Sequence, residues 1–319
     1  MIYGKSNKWT YTATDPADVI VRELTIDSGT DSEPAVLVQL TDMHFNMFFD
    51  SDLTDPVLES TAQYRTWNKN GASVPNAERT LEYAKQSGAD RTIVTGDVLD
   101  ILSEGALSCL ESLWDKYPKT IISMGNHDTA RVVQGKVPEY MPLAPRIERL
   151  RAAWRHDITY LSEIVRDKVM IIVMDNASHM DTYNIPFFDS QVEPLKRDLQ
   201  KARELGIPAL LFFHIPLSTN DPEQAYVEAY PNSDGKIEDE DYYHGKYVIY
   251  GDEGATGEIR RIIHSSADVI AGCFCGHMHD DYYTEIHAAY PDGTPAVIPQ
   301  YILRGCPYDK GHALKIIIK

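Results

Sequence analysis

Five short motifs place oxygen and nitrogen donors at the ends of apolar runs: Asp42-Met43-His44, Gly96-Asp97, Gly125-Asn126-His127-Asp128, His214, and Gly276-His277-Met278-His279. Together they supply carboxylates, one carboxamide and several imidazoles, a mixture suited to borderline cations such as Zn, Fe, Mn or Co. A D-x-H triplet or a lone histidine says little by itself. The tetrapeptide Gly125-Asn126-His127-Asp128 is rarer, expected by chance in roughly one of several hundred chains of this size. All five together argue for a metal centre rather than coincidence.

The spacing says how the donors would meet. Asp42 and His44 are two residues apart, as are His277 and His279. In locally extended chain, such pairs project to one side and converge on one centre. Gly96, Gly125 and Gly276 directly precede ligand positions, where glycine permits a tight turn and close backbone approach.

The elements that must position these residues are legible as alternating patterns. Val36–Leu40, Thr92–Val94, Thr120–Ser123, Met170–Met174, Ala209–Phe213 and Val269–Phe274 read as buried strands. Helical spacing covers Asn76–Ser87, Ser103–Trp114 and Thr256–Ser265, and Ser190-Gln191-Val192-Glu193 reads as a capping box opening a helix to about Arg203. The alternation predicts one layered α/β domain over 1–319, with the motifs at the carboxyl edge of its sheet. Ala296–Leu303 and Ala313–Ile318 are expected to add antiparallel strands near one sheet edge. Phe45–Pro75 and Ser218–Thr256 interrupt the alternation. The second, rich in Asp, Glu and Tyr, is a candidate lid, with His244 and Tyr242–Tyr243 as its candidate pocket groups.

The order D-x-H, G-D-x-x-D, G-N-H-D, H, G-H-x-H resembles the calcineurin-like metallophosphoesterase superfamily. The resemblance runs from about Asp42 to His279 with no motif position missing. It implies a four-layer α/β/β/α sandwich of two mixed sheets flanked by helices. It also implies two divalent or Fe-type ions, drawn from Mn, Zn, Fe and Co. One would be held by Asp42, His44, Asp97 and His279, the other by Asp97, Asn126, His214 and His277. Asp97 would bridge them through its two carboxylate oxygens. Two divalent ions, two carboxylates and a hydroxide leave a formal charge of about +1, which favours a phosphate anion.

The implied reaction is hydrolysis of a small phosphomonoester by attack of a metal-bound hydroxide. His127 is the implied general acid and Asp128 its orienting partner, against a reading of His127 as one more ligand or a structural residue. Phosphodiester hydrolysis, cyclic nucleotides included, is the alternative on the same core. A catalytically silent module of the same shape fits less well, since such proteins typically lose ligands or the GNHD histidine, and here all are present. Arg131 is a candidate phosphate contact, on equal footing with an exposed arginine at a helix start. Asp100 stands three residues after Asp97, where purple acid phosphatases carry a tyrosine ligand, and reads as support for a ligand. A second resemblance, to a purple-acid-phosphatase-like branch, rests on Met174-Asp175, Ser190-Gln191 and Phe212–Leu217. His156, His179, His244, His264, His287 and His312 lie outside the motifs and read as surface residues.

Composition narrows the rest. The net charge of −18, from 30 basic and 48 acidic residues, disfavours nucleic acid and anionic lipid as partners. No apolar stretch reaches the roughly 18–20 residues needed to span a bilayer. The polar N-terminus has no signal-peptide core, so a cytoplasmic location is expected, and a secreted one only if a leader has been removed. Cys273 and Cys275 share one face of a strand-like run, a poor disulfide geometry, and no second cysteine pair completes a zinc site. Buried free thiols are expected, and with them a reducing compartment.

Overall fold

The computed structural model describes residues 10–11, 19–30, 33–64, 73–131, 139–140, 143–178, 187–219, 248–249, 251–306 and 311–319. In chain order the strands are β1 (Thr10–Tyr11), β2 (Ile20–Ile26), β3 (Ala35–Leu40), β4 (Arg91–Thr95), β5 (Thr120–Ser123), β6 (Ala130–Arg131), β7 (Glu139–Tyr140), β8 (Tyr160–Val165), β9 (Val169–Met174), β10 (Ala209–Phe212), β11 (Ile270–Cys275), β12 (Tyr282–Ala289), β13 (Pro295–Ile302) and β14 (His312–Ile318). The helices are α1 (Pro56–Tyr64), α2 (Val74–Gln86), α3 (Glu104–Lys116), α4 (Leu143–Trp154), α5 (Asp189–Leu205) and α6 (Gly254–His264).

Two six-stranded mixed sheets result, in the orders β1-β2-β14-β3-β4-β5 and β12-β13-β11-β10-β9-β8, with β6 and β7 as a separate pair. The central strands have both faces buried, so their sequences are almost continuously apolar. Residue parity then assigns each side chain to a layer. In β3, Ala35 and Leu37 enter the core between the sheets, while Val38 and Leu40 face α2 and α3. In β9, Ile171 and Val173 face the other sheet, and Met170, Ile172 and Met174 pack toward α5 and α6. Phe212, Phe274 and Tyr301 stack in the inter-sheet layer. The architecture is the four-layer α/β/β/α sandwich.

Three expectations need correction. β14 is not at an edge: it lies between β2 and β3, parallel to the first and antiparallel to the second. Its Leu314, Ile316 and Ile318 fill the inter-sheet core, a burial that an edge strand does not require. β13 runs parallel to β11, and the antiparallel edge strand beside it is β12. Nor does Ser190 cap α5. The helix opens at Asp189 with Phe188 as N-cap, and Gln191 Oε1 accepts the Phe188 N–H at 2.8 Å. Ser190 therefore stands inside the first turn. Of Phe45–Pro75, the described part holds a short 3₁₀ turn at Asp52–Thr54, α1, and the opening of α2 at Val74. Most of Ser218–Thr256, including Tyr242, Tyr243 and His244, lies outside the described residues, as does His179. The cysteines are free thiols, with Cys273 and Cys275 buried in the layer against α5 and α6. No described helix is long and apolar enough to cross a membrane.

Candidate metal centre

The five motifs meet at the carboxyl ends of β3, β4, β5, β10 and β11, across both sheets. Beyond β3 and β4 the two chains keep pairing, through Asp42 N–H to Gly96 O, His44 N–H to Asp97 O and Phe45 N–H to Val98 O. This sets the D-x-H triplet in register with Gly96-Asp97. On the second sheet, Gly276 N–H donates to His214 O at 3.0 Å. The sheets are joined beneath the site by Gln39, whose amide donates to Thr95 Oγ1 and to Cys275 O.

The i, i+2 pairs do converge, but not through extended chain. Asp42, His44, Asp97, His277 and His279 all have left-handed backbones, with φ between 49° and 72°. Such conformations cost non-glycine residues free energy and gather at functional sites. Each pair is anchored by the residue between its members. Met43 is buried against the helices of the first sheet, and Met278 against those of the second. Those methionines are a signal that motif reading overlooks, an apolar residue set between two polar ones. Gly276 is required by contact: a Cβ there would lie 1.8 Å from Thr41 Oγ1 and 2.5 Å from Asp42 Oδ2.

Three groups of donors form among the described residues, and two of them share Asp97. The first is Asp42, His44, Asp97 and His279, the second is Asp97, His214 and His277, and the third is His44, Asp100 and His127. Asn126 joins the second, with Oδ1 3.1 Å from His214 Nε2. In the first group His44 Nε2 lies 3.0 Å from His279 Nε2 and 3.7 Å from both Asp42 Oδ1 and Asp97 Oδ2. His279 Nε2 is 3.1 Å from Asp42 Oδ1. Bonds of about 2.0–2.2 Å to one ion would put neighbouring donors about 3.0–3.4 Å apart; the His44–His279 and His279–Asp42 separations match this, and the two of 3.7 Å are wider. The wiring of the remaining atoms agrees. Asp42 Oδ2 accepts from Thr41 Oγ1 and His277 N–H, whereas buried Oδ1 has no hydrogen bond of good geometry despite the nearby imidazole. His44 Nδ1 faces Asp100 Oδ1 at 3.1 Å and His214 Nδ1 faces Thr95 O at 2.7 Å. Both partners are acceptors, so both histidines turn Nε2 toward the centre, the orientation that such outer hydrogen bonds give metal-bound imidazoles.

Asp97 belongs to both groups through a single atom. Its Oδ2 lies 3.2 Å from His214 Nε2 and 3.7 Å from His44 Nε2, while Oδ1 accepts the His127 N–H at 2.8 Å. Asp97 is thus the residue common to the two groups, with Oδ2 as its atom closest to a histidine of each.

Electrostatics point the same way. Burial alone would raise the Asp42 and Asp97 carboxyls, but neighbouring histidines, His279 for Asp42 and His214 for Asp97 foremost, hold both below the usual range. Burial would lower the histidines, yet Asp100, Asp42 and Asp97 raise His44 to about 10, and Asp97 above all raises His214 to about 9. Among the described residues the ionic partners of Asp42 and Asp97 are histidines. A buried cluster that holds protons this strongly is one that divalent cations can neutralise in their place.

His127 and Asp128 do not form the expected pair. Asp128 is buried, and its two oxygens accept the N–H groups of Leu99 and Gly125 at 2.8 and 2.7 Å. Burial, then the charge of Asp97, raises its carboxyl to about 8. The His127 ring is held instead by Asp100, with Nδ1 3.1 Å from the main-chain oxygen and 3.6 Å from Oδ1. Asp100 thus touches both His44 and His127, and its other oxygen accepts from Asn46 Nδ2. The side chain of Arg131 lies outside the described residues. His156, His264, His287 and His312 join none of the donor groups, but His312 is buried rather than at the surface.

The calcineurin-like phosphoesterase family matches residues 35–281. No curated protein matches the chain. Among solved structures, a dimetal phosphatase from Danio rerio aligns over 87% of this chain and 90% of its own, at 12% identity and TM-score 0.51. A purple acid phosphatase from yellow lupin seeds aligns over 92% of this chain and 46% of its own, at 12% identity and TM-score 0.45. Such likeness concerns the fold alone. The family match spans most of the chain and includes all five motifs, and the protein belongs to the calcineurin-like phosphoesterase family.

Proposed function

We infer that this protein is a phosphohydrolase using two metal ions, and that its substrates are small phosphate monoesters. The observation that carries the reading is the position of Asp97 Oδ2, shared between two groups of inward-facing donors. Bound divalent cations lower the pKa of water and neutralise charge on phosphoryl oxygens. The protein's own part is to place and charge the site. Asp42, His44, Asp97 and His279 would hold one ion, and Asp97, Asn126, His214 and His277 the other. With only two carboxylates in the set and Asn126 contributing a neutral oxygen, the loaded site keeps a positive balance for a phosphate anion.

An alkoxide leaving group needs a proton, and His127 is the group that would supply it. Its Nδ1 engages the Asp100 carbonyl, so Nε2 is the atom that would donate, and the side chain is 19% exposed and so within reach of a ligand. Metal-free protein reconstituted separately with Mn, Zn, Fe and Co, then assayed on an aryl monoester and an aryl diester, tests the reading. Two ions per chain and faster monoester cleavage are expected. Faster diester cleavage would make it a phosphodiesterase. Metal uptake without turnover of either would make it a silent module.

A further inference from the structure

Asn176 follows β9 by two residues, is fully buried, and belongs to no motif. Its carboxamide is devoted to one short segment of the neighbouring chain. Oδ1 accepts the N–H of His214 at 3.1 Å and of Ile215 at 3.0 Å, and Nδ2 donates to Ile215 O at 2.8 Å. The parallel pairing of β9 with β10 ends at Val173 and Phe212. Past that point the Asn176 side chain takes the place of a strand, offering an acceptor and a donor to the backbone as a peptide unit would. On the other side His214 O accepts from Gly276 N–H, and the ring Nδ1 is set by Thr95 O. The backbone of His214 is therefore held on both flanks and its ring by a third contact, leaving Nε2 as the atom with a direction to fill.

Asn176 is itself braced. Asp175 accepts the N–H groups of Ala177 and Ser178 at 2.9 and 3.0 Å and the Ser178 hydroxyl, closing a turn. Its carbonyl accepts Gln191 Nε2 at 2.8 Å, and the same nitrogen reaches Thr159 O. The opening turn of α5 thus supports the end of β9, which supports the end of β10.

We propose that Asn176 is the positioning residue of the second metal site, acting through the backbone of His214. The proposal rests on the two-ion reading above. Neither acidic nor apolar replacement can substitute for the amide. Aspartate would turn a carboxylate oxygen toward Ile215 O, and alanine would leave two buried N–H groups and a carbonyl without partners.

The test is calorimetric titration of metal-free protein with Mn²⁺, with the spin resonance of the loaded protein as a second readout and circular dichroism as a check on folding. Wild type should take up two ions and show a spin-coupled pair. N176D and N176A should lose about 10- to 100-fold in affinity for one ion, keep the other within about threefold, and show an isolated Mn²⁺ signal. Wild-type uptake of one ion or none would overturn the two-ion reading itself. Two ions bound by wild type and, with unchanged affinity, by both variants would overturn only the role of Asn176. So would equal weakening of both ions, or unfolding of both variants, since either makes the residue a support of the fold rather than of one site.

Discussion

On the proposed function, single residues divide the work of the site between holding charge and moving a proton, and substitutions should separate the two. Asp97→Asn keeps the shape and the acceptor for His127 N–H, but removes the charge facing both donor groups. It should lose bound metal, read by elemental analysis. His127→Ala removes no donor from either group that shares Asp97, so metal content should stay. Turnover of alkyl phosphates should fall by about 10²- to 10⁴-fold. The deficit should shrink on nitrophenyl phosphate, whose leaving group needs no proton; an equal loss on both substrates would remove His127 from the acid role. The shifted histidines make a further prediction. The folded pKa values of His44 and His214, about 10 and about 9, lie above the unfolded value near 6.5. Stability from these groups is fully present below pH 6.5 and is lost as pH rises through 9 and 10. Metal-free protein should therefore melt progressively lower from pH 7 to pH 10. Asp42, held low, acts at the other end: its contribution is present above its ordinary value and is lost as pH falls. Saturating divalent ion should remove much of the alkaline decline, because the ions take over from the protons. A flat or rising melting temperature in the metal-free protein would contradict this picture of the cluster.

At the scale of elements, strand ends must come close enough for seven side chains to meet, and glycine permits the closest approach. Gly276→Ala drives a Cβ into Thr41 and Asp42, so it should cost about 1–3 kcal/mol and deplete metal. Gly293→Ala is the control, with a φ of 84° but nothing within 4 Å of the added Cβ. It should be milder and leave metal content intact, as denaturant melts and elemental analysis would show. Elements differ in how legible they were. Runs such as Thr120–Ser123 and Ala209–Phe212 could be found because burial on two faces writes an unbroken apolar stretch. β2 and β12 escaped because charged and polar residues interleave with their apolar ones, as in Tyr282-Tyr283-Thr284-Glu285-Ile286. The place of β14 left no local trace, since strand order is decided by which layer can bury Leu314, Ile316 and Ile318. The site shows the same divide. The donor types that the motifs bring together were legible, and so was Asp100 beside them. The left-handed backbones, the swap of Asp128 for Asp100 beside His127, and the part of Asn176 were not, because each depends on contacts made across distant segments.

The whole molecule sets the terms on which a substrate reaches this site. With a net charge of −18, the protein repels polyanions at long range, whereas a small phosphate ester needs only the local field of the loaded centre. The preference for small monoesters over nucleic acid that the proposed function carries should therefore depend partly on screening, and not only on the shape of the pocket. At low ionic strength the repulsion extends over tens of ångströms; near 1 M salt it is confined to about 3 Å. Raising salt should increase kcat/KM on a single-stranded oligonucleotide relative to that on an aryl monoester measured in the same buffer. Metal content should be checked at each salt concentration, so that loss of ions is not mistaken for screening. A ratio that stays constant or moves toward the monoester would show that the acidic surface does not set the preference between the two substrates.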